Sequence, residues 1–422
     1  MPGFNFASGN AKKFATLPLY ALGAIASVGV SRSANRWVFG SGSGVGEGAL
    51  ALLRYAHNAD ARLHITWLAR DRIELASAAA LGIRSVVKSS PGGLWATLRA
   101  GVAVVTHGFG DVNRYGLRGA MMVQLWHGIP LKLIQLDSVA TTQVPARLLK
   151  IALISNWLRS LLRGFYRTGY RNIALLPAAS ELSAGRLRTA FGLPADRVVV
   201  TGDPRDDVLS AGDANSRIST ARAKLAQALG VDLAGTRVLL YAPTWRDGDP
   251  DPAVPTLQEW SRIDDWLRAA EAVLVVRPHP HGVADYSAGI TGSDRIHLLS
   301  AACLGDLTPV LAAVQLLITD YSSVAFDYSL TGGPILFLAP DEEQYTSTRG
   351  LYEGYREFSG GREQRNWGGI LDQLVRYDSN ADWAGQVLAH SASLSERHFA
   401  FRDGHNTERV FAELLSRLQE HK

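Results

Sequence analysis

The sequence predicts an α/β fold of two Rossmann-like domains facing across a cleft, and three observations predict it. Short apolar runs alternate with helical patterns along most of the chain, the mark of parallel sheets covered by helices. Polar turns carrying Gly, His, Arg or Ser follow several of these runs, at the strand ends where α/β folds bind ligands. The alternation also comes in two successive blocks of about 170 and 190 residues, as a chain of 422 residues allows.

Residues 14–30, FATLPLYALGAIASVGV, are apolar and follow Lys12 and Lys13. The pattern is close to the start of a signal peptide. Pro18, Gly23 and Gly29 make a poor spanning helix, and the stretch is at the short limit for one. It is expected as a helix packed on the fold or lying in a membrane interface, and residues 1–35 are assigned to membrane association. Arg36–Phe39 reads as the first strand. The turn that follows, GSGSGVGEG, lacks both the Gly-Lys-Ser/Thr ending of a phosphate loop and the dinucleotide spacing. Its Gly40, Gly42 and Gly44 either let a ligand approach the backbone or only turn the chain tightly.

Strands at His64–Leu68, Ser85–Val87, Val102–Thr106 and Met122–Trp126 alternate with helices at Asp71–Ala80 and Leu94–Ala100. The last of these strands ends in His127-Gly128-Ile129-Pro130-Leu131-Lys132. A basic helix is expected from about Ala146 to Phe165, with Leu148, Ile151, Leu158, Leu161, Leu162 and Phe165 near helical spacing. Trp157 and the arginines interrupt the stripe, so a core helix with a solvated basic face and a membrane-contacting helix both remain open. After Ile173–Leu176, Ala184–Phe191 and Arg197–Thr201, the turn GDPRDD (202–207) closes the first domain.

Residues 208–235 read as connecting helices. The second sheet starts at Val238–Tyr241 and runs into Thr244-Trp245-Arg246-Asp247. Helix Ile263–Ala270, strand Val273–Val276 and Arg277-Pro278-His279-Pro280 follow, then strand Ile296–Leu298 and helix Leu307–Ala313. Strand Leu316–Thr319 leads into Asp320-Tyr321-Ser322-Ser323, a helix at Val324–Leu330, a Gly-Gly-Pro turn and strand Ile335–Leu338. Ser322 and Ser323 either cap that helix or offer hydroxyls and N–H groups to a phosphate. A helix at Asn406–Gln419 ends the chain.

Composition narrows the function. The single cysteine, Cys303, excludes a disulfide framework and suits a reducing compartment, and no Cys/His pattern suggests zinc. The net charge of +4 is unevenly placed. No acid precedes Glu47, and none lies between Ser138 and Ser180, where Arg147, Lys150, Arg159, Arg163, Arg167 and Arg171 sit among apolar residues. Such stretches suit an anionic membrane surface. No motif supports a nucleic-acid partner.

WHGIPLK, YAPTWRD, RPHP, TDYSSVAFDY with GGPILFLAPDEEQY, and RGLYEGY together resemble the CDP-glycerol glycerophosphotransferase family, whose members build teichoic acids and related capsular polymers. GDPRDD is similar to that family's GxPRND turn, with Asp206 in place of Asn. DGHNTERV (403–410) is similar to its C-terminal DGxxSxR segment, and WVFG (37–40) to its first strand. The resemblance covers roughly 36–412 in the family's order. It departs after RGLYEGY, where Ser359-Gly360-Gly361 replaces a Pro-Gly pair.

The resemblance implies a GT-B fold, with an acceptor domain (36–207), a CDP-donor domain (208–395) and a C-terminal helix (396–422). It implies transfer of glycerol phosphate from CDP-glycerol to a hydroxyl of a lipid-linked glycan or polyol-phosphate acceptor, with release of CMP, at the cytoplasmic face of the membrane. His127 is the expected base and His279 a second catalytic group. Donor contacts fall on Arg277, Ser322, Ser323, Thr244, Trp245, Arg246, Asp320, Glu343 and Arg349. Glu342 is the alternative to Glu343 at the ribose, and His281 could share the work of His279. Asp320 suits a cation or a sugar hydroxyl better than an anion. Acceptor contacts fall on Gly128, Pro130, Lys132, Gly40, Gly42 and Gly44. No metal is demanded, because Asp206, Asp207, Asp249 and Asp251 read as turn residues, and Mg²⁺ is an optional aid at the diphosphate. A CDP-ribitol donor, a nucleotide-sugar donor and a non-catalytic membrane component are the alternatives.

Overall fold

The computed structural model describes residues 16–138, 141, 152–246, 249–280 and 282–420. Lys12, Lys13, Arg147, Leu148, Lys150, Ile151, Asp247 and His281 lie outside the described residues, as do the side chains of Trp157 and Leu158. The chain divides into two compact units. The described residues within 5–127, 134–207 and 403–422 form the first, and those within 128–133 and 208–402 form the second.

The first unit is built on seven parallel strands: β1 (Ser33–Phe39), β2 (His64–Ala69), β3 (Ser85–Val87), β4 (Ala100–Val105), β5 (Met121–Gln124), β6 (Ile173–Ala178) and β7 (Val198–Val200). Their spatial order is β3-β2-β1-β4-β5-β6-β7, so the winding reverses between β1 and β4. Alternate residues feed opposite faces, as a doubly covered sheet requires. Trp37, Phe39, Val102 and Val104 enter one core, and Val38, Ala103 and Val105 enter another.

The helices of this unit are α1 (Leu17–Gly29), α2 (Glu47–Ala59), α3 (Arg72–Ala80), α4 (Pro91–Arg99), α5 (Ala152–Tyr170) and α6 (Glu181–Phe191). Among the described residues no helix is long and apolar enough to cross a membrane. Helix α1 is instead packed on the fold. Its Gly23 lies so close to the Arg114–Gly116 turn that an added Cβ would sit 2.0 Å from the Tyr115 carbonyl oxygen. Tyr20 meets the Tyr115 ring edge-on at 5.1 Å. Just beyond α1, Arg32 donates to the carbonyls of Thr97, Ala100, Gly116 and Arg118.

After the short helix α7 (Asp207–Ser210), the second unit opens with α8 (Ala214–Leu229) and then builds five parallel strands. These are β8 (Arg237–Ala242), β9 (Ala272–Val276), β10 (Ile296–Leu298), β11 (Leu316–Thr319) and β12 (Ile335–Phe337), in the order β10-β9-β8-β11-β12. The reversal falls between β8 and β11. The helices are α9 (Leu257–Ala269), α10 (Ser287–Gly292), α11 (Val324–Ser329), α12 (Glu342–Arg349), α13 (Tyr355–Ser359), α14 (Trp367–Ser379) and α15 (Ala381–His398). A reciprocal Thr256/Glu259 cap starts α9. The helix expected at Leu307–Ala313 is a 3-10 helix, Thr308–Ala313, with Pro309 in its first turn.

Two domain boundaries differ from expectation. The one set at 395/396 falls inside α15, which stays in the second unit. The last helix, α16 (Asn406–Glu420), belongs to the first unit, where Val410, Phe411 and Leu414 enter the core beside Trp37. Segment 128–133, assigned to the acceptor domain, lies with the second unit. Lys132 forms an antiparallel bridge with Leu351, Leu133 N–H donates to Gly350 O at 3.1 Å, and Tyr352 N–H donates to Leu131 O at 2.8 Å.

Candidate active site

In the first unit the reversal point gathers the turns after β1, β4 and β5. The turn after β5 is sharply bent. Trp126 takes φ +64°, a conformation costly for a bulky residue, and Gly128 follows at φ +126°. Trp126 is held there by burial, its ring edge-on to Phe191 at 5.3 Å. Between them, His127 stacks on His107, with ring centroids 4.1 Å apart and planes 6° from parallel.

The tautomer of His127 follows from its partner. His127 Nδ1 lies 3.4 Å from the Thr106 carbonyl oxygen, which can only accept, so the neutral ring carries its proton on Nδ1 and its lone pair on Nε2. Thr106 Oγ1 donates to Ser41 Oγ at 2.9 Å and sits 2.9 Å from His107 Nδ1. Ser43 Oγ is 3.3 Å from His107 Nε2. Asp111 Oδ2 accepts from the backbone N–H of Thr106, His107 and Gly108 at 3.0, 2.7 and 3.1 Å, which fixes the loop carrying His107.

The glycines after β1 have a packing reason. A Cβ on Gly40 would lie 2.3 Å from Asp111 O, and one on Gly42 would lie 2.6 Å from the His107 ring. Gly44 has φ +92°. These positions, expected at the acceptor, shape the His107 loop. GDPRDD is tied to the same corner, with Arg205 donating to the His127 carbonyl. Asp207 in turn caps α16, accepting from Asn406 N at 2.8 Å and Thr407 N at 2.7 Å. Asn406 fills the space where a side chain on Gly202 would go.

In the second unit the turns after β8 and β11 carry a buried ionic network. Arg246 pairs with Asp320 at 2.8 Å and with Asp341 at 2.8 Å, and its guanidinium lies over the rings of Tyr321 and Tyr345 at 5.1 and 4.9 Å. Those rings stack at 4.0 Å, and Tyr321 Oη donates to Asp341 at 3.0 Å. Burial works against the Arg246 charge, but Asp320 and Asp341 outweigh it and hold the group above its ordinary value. Asp320 also accepts from Thr244 N at 2.9 Å and Tyr321 N at 2.6 Å. Arg246, expected either at a phosphate or paired with Asp247, is committed to two other carboxylates, and the cation that Asp320 orients is Arg246.

Arg277 is a second correction. Expected to face the diphosphate, its guanidinium is buried and donates to Leu299 O at 3.0 Å and Gly305 O at 3.2 Å, so it orders the 299–305 loop. Burial pulls its pKa down, against the nearby Asp306.

The expected catalytic group His279 and two expected donor residues, Trp245 and Arg349, do come together. The His279 ring lies 15° from parallel to Trp245 at 5.8 Å, and the Arg349 guanidinium lies over Trp245 at 5.6 Å. The Thr244 hydroxyl is buried without a hydrogen-bond partner among the described residues. Ser323 takes the N-cap position of α11 with no side-chain cap bond, and Ser322 Oγ is a distant 3.4 Å from Val324 N. Glu343 is exposed, whereas Glu342 pairs with Arg365 at 3.3 Å. Gly128, Pro130 and Lys132 lie on the segment beside 350–352 described above. No group of three His, Cys, Asp or Glu side chains able to hold a metal ion occurs among the described residues.

The sequence reading missed His107, Thr106, Asp111 and Arg205 as site residues. The signal available was a histidine and a glycine directly after a strand, the pattern that singled out His127.

Comparison with known proteins bears on the fold and the family. The structure superposes on that of a wall teichoic acid polymerase, TagF, with a TM-score of 0.73 and 20% identity, covering 92% of this chain and 90% of that one. A UDP-N-acetylglucosamine 2-epimerase superposes at 0.53 with 15% identity, covering 93% and 96%. The fold is thus of the GT-B type. In sequence, the teichoic acid ribitol-phosphate polymerase TarK of Staphylococcus aureus is 27% identical over 267 residues, 60% of this chain and 50% of that protein. A teichoic acid glycerol-phosphate transferase of the same species is 26% identical over 296 residues, 68% and 69% of the two. A teichoic acid glycerol-phosphate primase of Bacillus spizizenii is 32% identical over 215 residues, 50% and 52%. The chain spans about half the length of the ribitol-phosphate polymerases it matches. The CDP-glycerol:poly(glycerophosphate) glycerophosphotransferase profile matches residues 26–416, and the chain belongs to that family.

Proposed function

We propose that this chain transfers glycerol phosphate from CDP-glycerol to a hydroxyl of a lipid-linked or polymeric acceptor, releasing CMP, in the synthesis of a teichoic acid-like or capsular polymer. The observation that carries the reading is the stacked His107–His127 pair, with His127 held in the Nδ1–H tautomer. A base for a hydroxyl nucleophile needs a lone pair on a ring that cannot swing away. In the reaction, His127 Nε2 takes the proton from the acceptor hydroxyl as its oxygen attacks the β-phosphorus. The bond from that phosphorus to the bridging oxygen breaks, and CMP leaves with the electron pair.

The donor is assigned to the second unit. His279 and Arg349, both set against Trp245, supply positive charge to the departing phosphate. Ser323 and the Thr244 hydroxyl supply hydrogen bonds. The reading calls for no resident metal, and a chelator is expected to leave CMP release in place.

A ribitol phosphate donor is the second reading, favoured by the similarity to the Staphylococcus aureus ribitol-phosphate polymerases. We place the reaction at the cytoplasmic face of an anionic membrane. That placement is supported by the exposed Arg163, Arg167 and Arg171 at the end of α5, in a stretch without carboxylates from Ser138 to Ser180.

The test is CMP release from CDP-glycerol, CDP-ribitol and UDP-sugars with a lipid-linked acceptor, for wild type beside His127→Ala. Release from CDP-glycerol by wild type alone supports the proposal. Turnover of CDP-ribitol or a UDP-sugar instead keeps the fold and replaces the donor. Silence with every donor favours a non-catalytic component.

A further inference from the structure

We infer that helix α1 is a membrane foot, inserting its outer face into the interface of an anionic bilayer while its inner face stays docked on the first unit. This deepens the membrane part of the proposed function.

The helix has two unlike faces. The inner one is fastened by Gly23 against Tyr115 O, by the Tyr20–Tyr115 ring contact and by the Arg32 clasp that follows the helix. The outer one carries Leu19, Leu22, Ile25 and Val28, exposed by 46, 62, 71 and 81%. A solvated helix does not normally present an apolar run of this length without a polar residue among it. Leu17–Gly29 contains no charged side chain at all. At 13 residues it is too short to span a bilayer but long enough to lie in its interface.

The surroundings say what the face meets. The 114–116 turn packs against both α1 and helix α4, and this region is basic. Between Glu74 and His127 the sequence has one carboxylate, Asp111, against Arg84, Lys88, Arg99, Arg114 and Arg118. Asp111 is buried and occupied by three backbone N–H groups. Trp95 is 56% exposed on α4, with Arg99 over its ring at 5.8 Å. An exposed Trp, a rim of arginines and an uncharged apolar face suit lipid headgroups and the first acyl carbons. A protein partner would more often meet a mixed polar rim.

The experiment is sedimentation of the full chain with vesicles of phosphatidylglycerol and phosphatidylcholine in equal parts, beside vesicles of phosphatidylcholine alone. Neither donor nor acceptor is present, so failure of the transferase reading leaves this test intact. The Leu22→Gln/Ile25→Gln/Val28→Gln variant is expected to bind the anionic vesicles at least about tenfold more weakly. Val28→Gln alone should act in the same direction, by about threefold, and serves if the triple variant folds poorly. Leu257→Gln, at an exposed apolar site of the second unit, should bind as wild type does. Arg114→Gln/Arg118→Gln should lose the preference for phosphatidylglycerol. Wild-type vesicle binding by the α1 variants overturns the inference. So does a wild-type dimer that the triple variant dissolves without any change in vesicle binding, since the face would then belong to a second copy of the chain.

Discussion

The strand-end clusters of the two units solve opposite problems. In the first, His107 and His127 are held by stacking, hydroxyls and a backbone carbonyl, and the Asp111 carboxylate binds backbone N–H groups of the loop. In the second, Arg246 is locked between Asp320 and Asp341 and two tyrosine rings. A residue that must gain and lose a proton in each turnover is best held by neutral partners that fix its tautomer. A buried arginine already neutralised by carboxylates changes nothing during turnover and fixes the turn around it. The first cluster is therefore expected to govern rate, and the second to govern folding of its own unit.

The largest expected effect tests the first half. His127→Ala should lower kcat by about 10²–10⁴-fold with thermal unfolding unchanged. A variant that loses stability in step with activity would make His127 a packing residue and erase the contrast. Asp320→Ala comes next, on the other side. It leaves Arg246 half-paired and the Thr244 N–H without its acceptor, at a cost of about 3–5 kcal/mol. Denaturant unfolding should show that loss in the second unit, while hydrogen exchange in the first stays as in wild type. Trp245→Ala should do less, raising KM for the nucleotide donor by about tenfold through loss of the surface that orders His279 and Arg349. An unchanged KM would remove the Trp245 cluster from the donor site.

The alternation of apolar runs and helical patterns showed the two sheets in the sequence, because parallel strands buried on both faces leave a continuous apolar signature. His127, Trp245, His279 and Ser323 were visible as polar residues at strand ends. What periodicity cannot express is which strand ends become neighbours. His107 gains meaning only when β4 and β5 pair and bring it onto His127. Arg246 read as a phosphate ligand or a partner of Asp247 because its actual partner Asp341 is 95 positions away. Asp207 meets Thr407 across 200 positions, so GDPRDD and DGHNTERV read as two motifs where the fold makes one joint. The same holds for the 128–133 segment, which pairs with 350–352 and so changes unit.

The smallest effect separates the units by their response to acid. His390, in the second unit, lines a small cavity with Phe337, Ser359, Arg362 and Gln373. Burial lowers its pKa below the ordinary 6.5, with Arg362 and Arg397 adding to the shift and the Phe358 carbonyl at 3.0 Å opposing it. A histidine depressed in the folded state binds its proton more readily when unfolded. Its contribution is therefore complete above about pH 6.5 and declines as pH falls below that value, by at most about 1.4 kcal/mol per pH unit. Among the acid-sensitive groups of the first unit is Asp403, which hydrogen bonds to Arg409 hold down to about 2 from 3.8. Its contribution is intact above pH 3.8 and is lost only as pH falls toward 2, and its exposure keeps it small. Between pH 6.5 and 5, hydrogen exchange should thus accelerate in the second unit before the first. His390→Gln should flatten that difference, because glutamine can still donate to the Phe358 carbonyl but cannot take up the proton. If both units loosen together in the variant as in wild type, a group other than His390 sets the acid response.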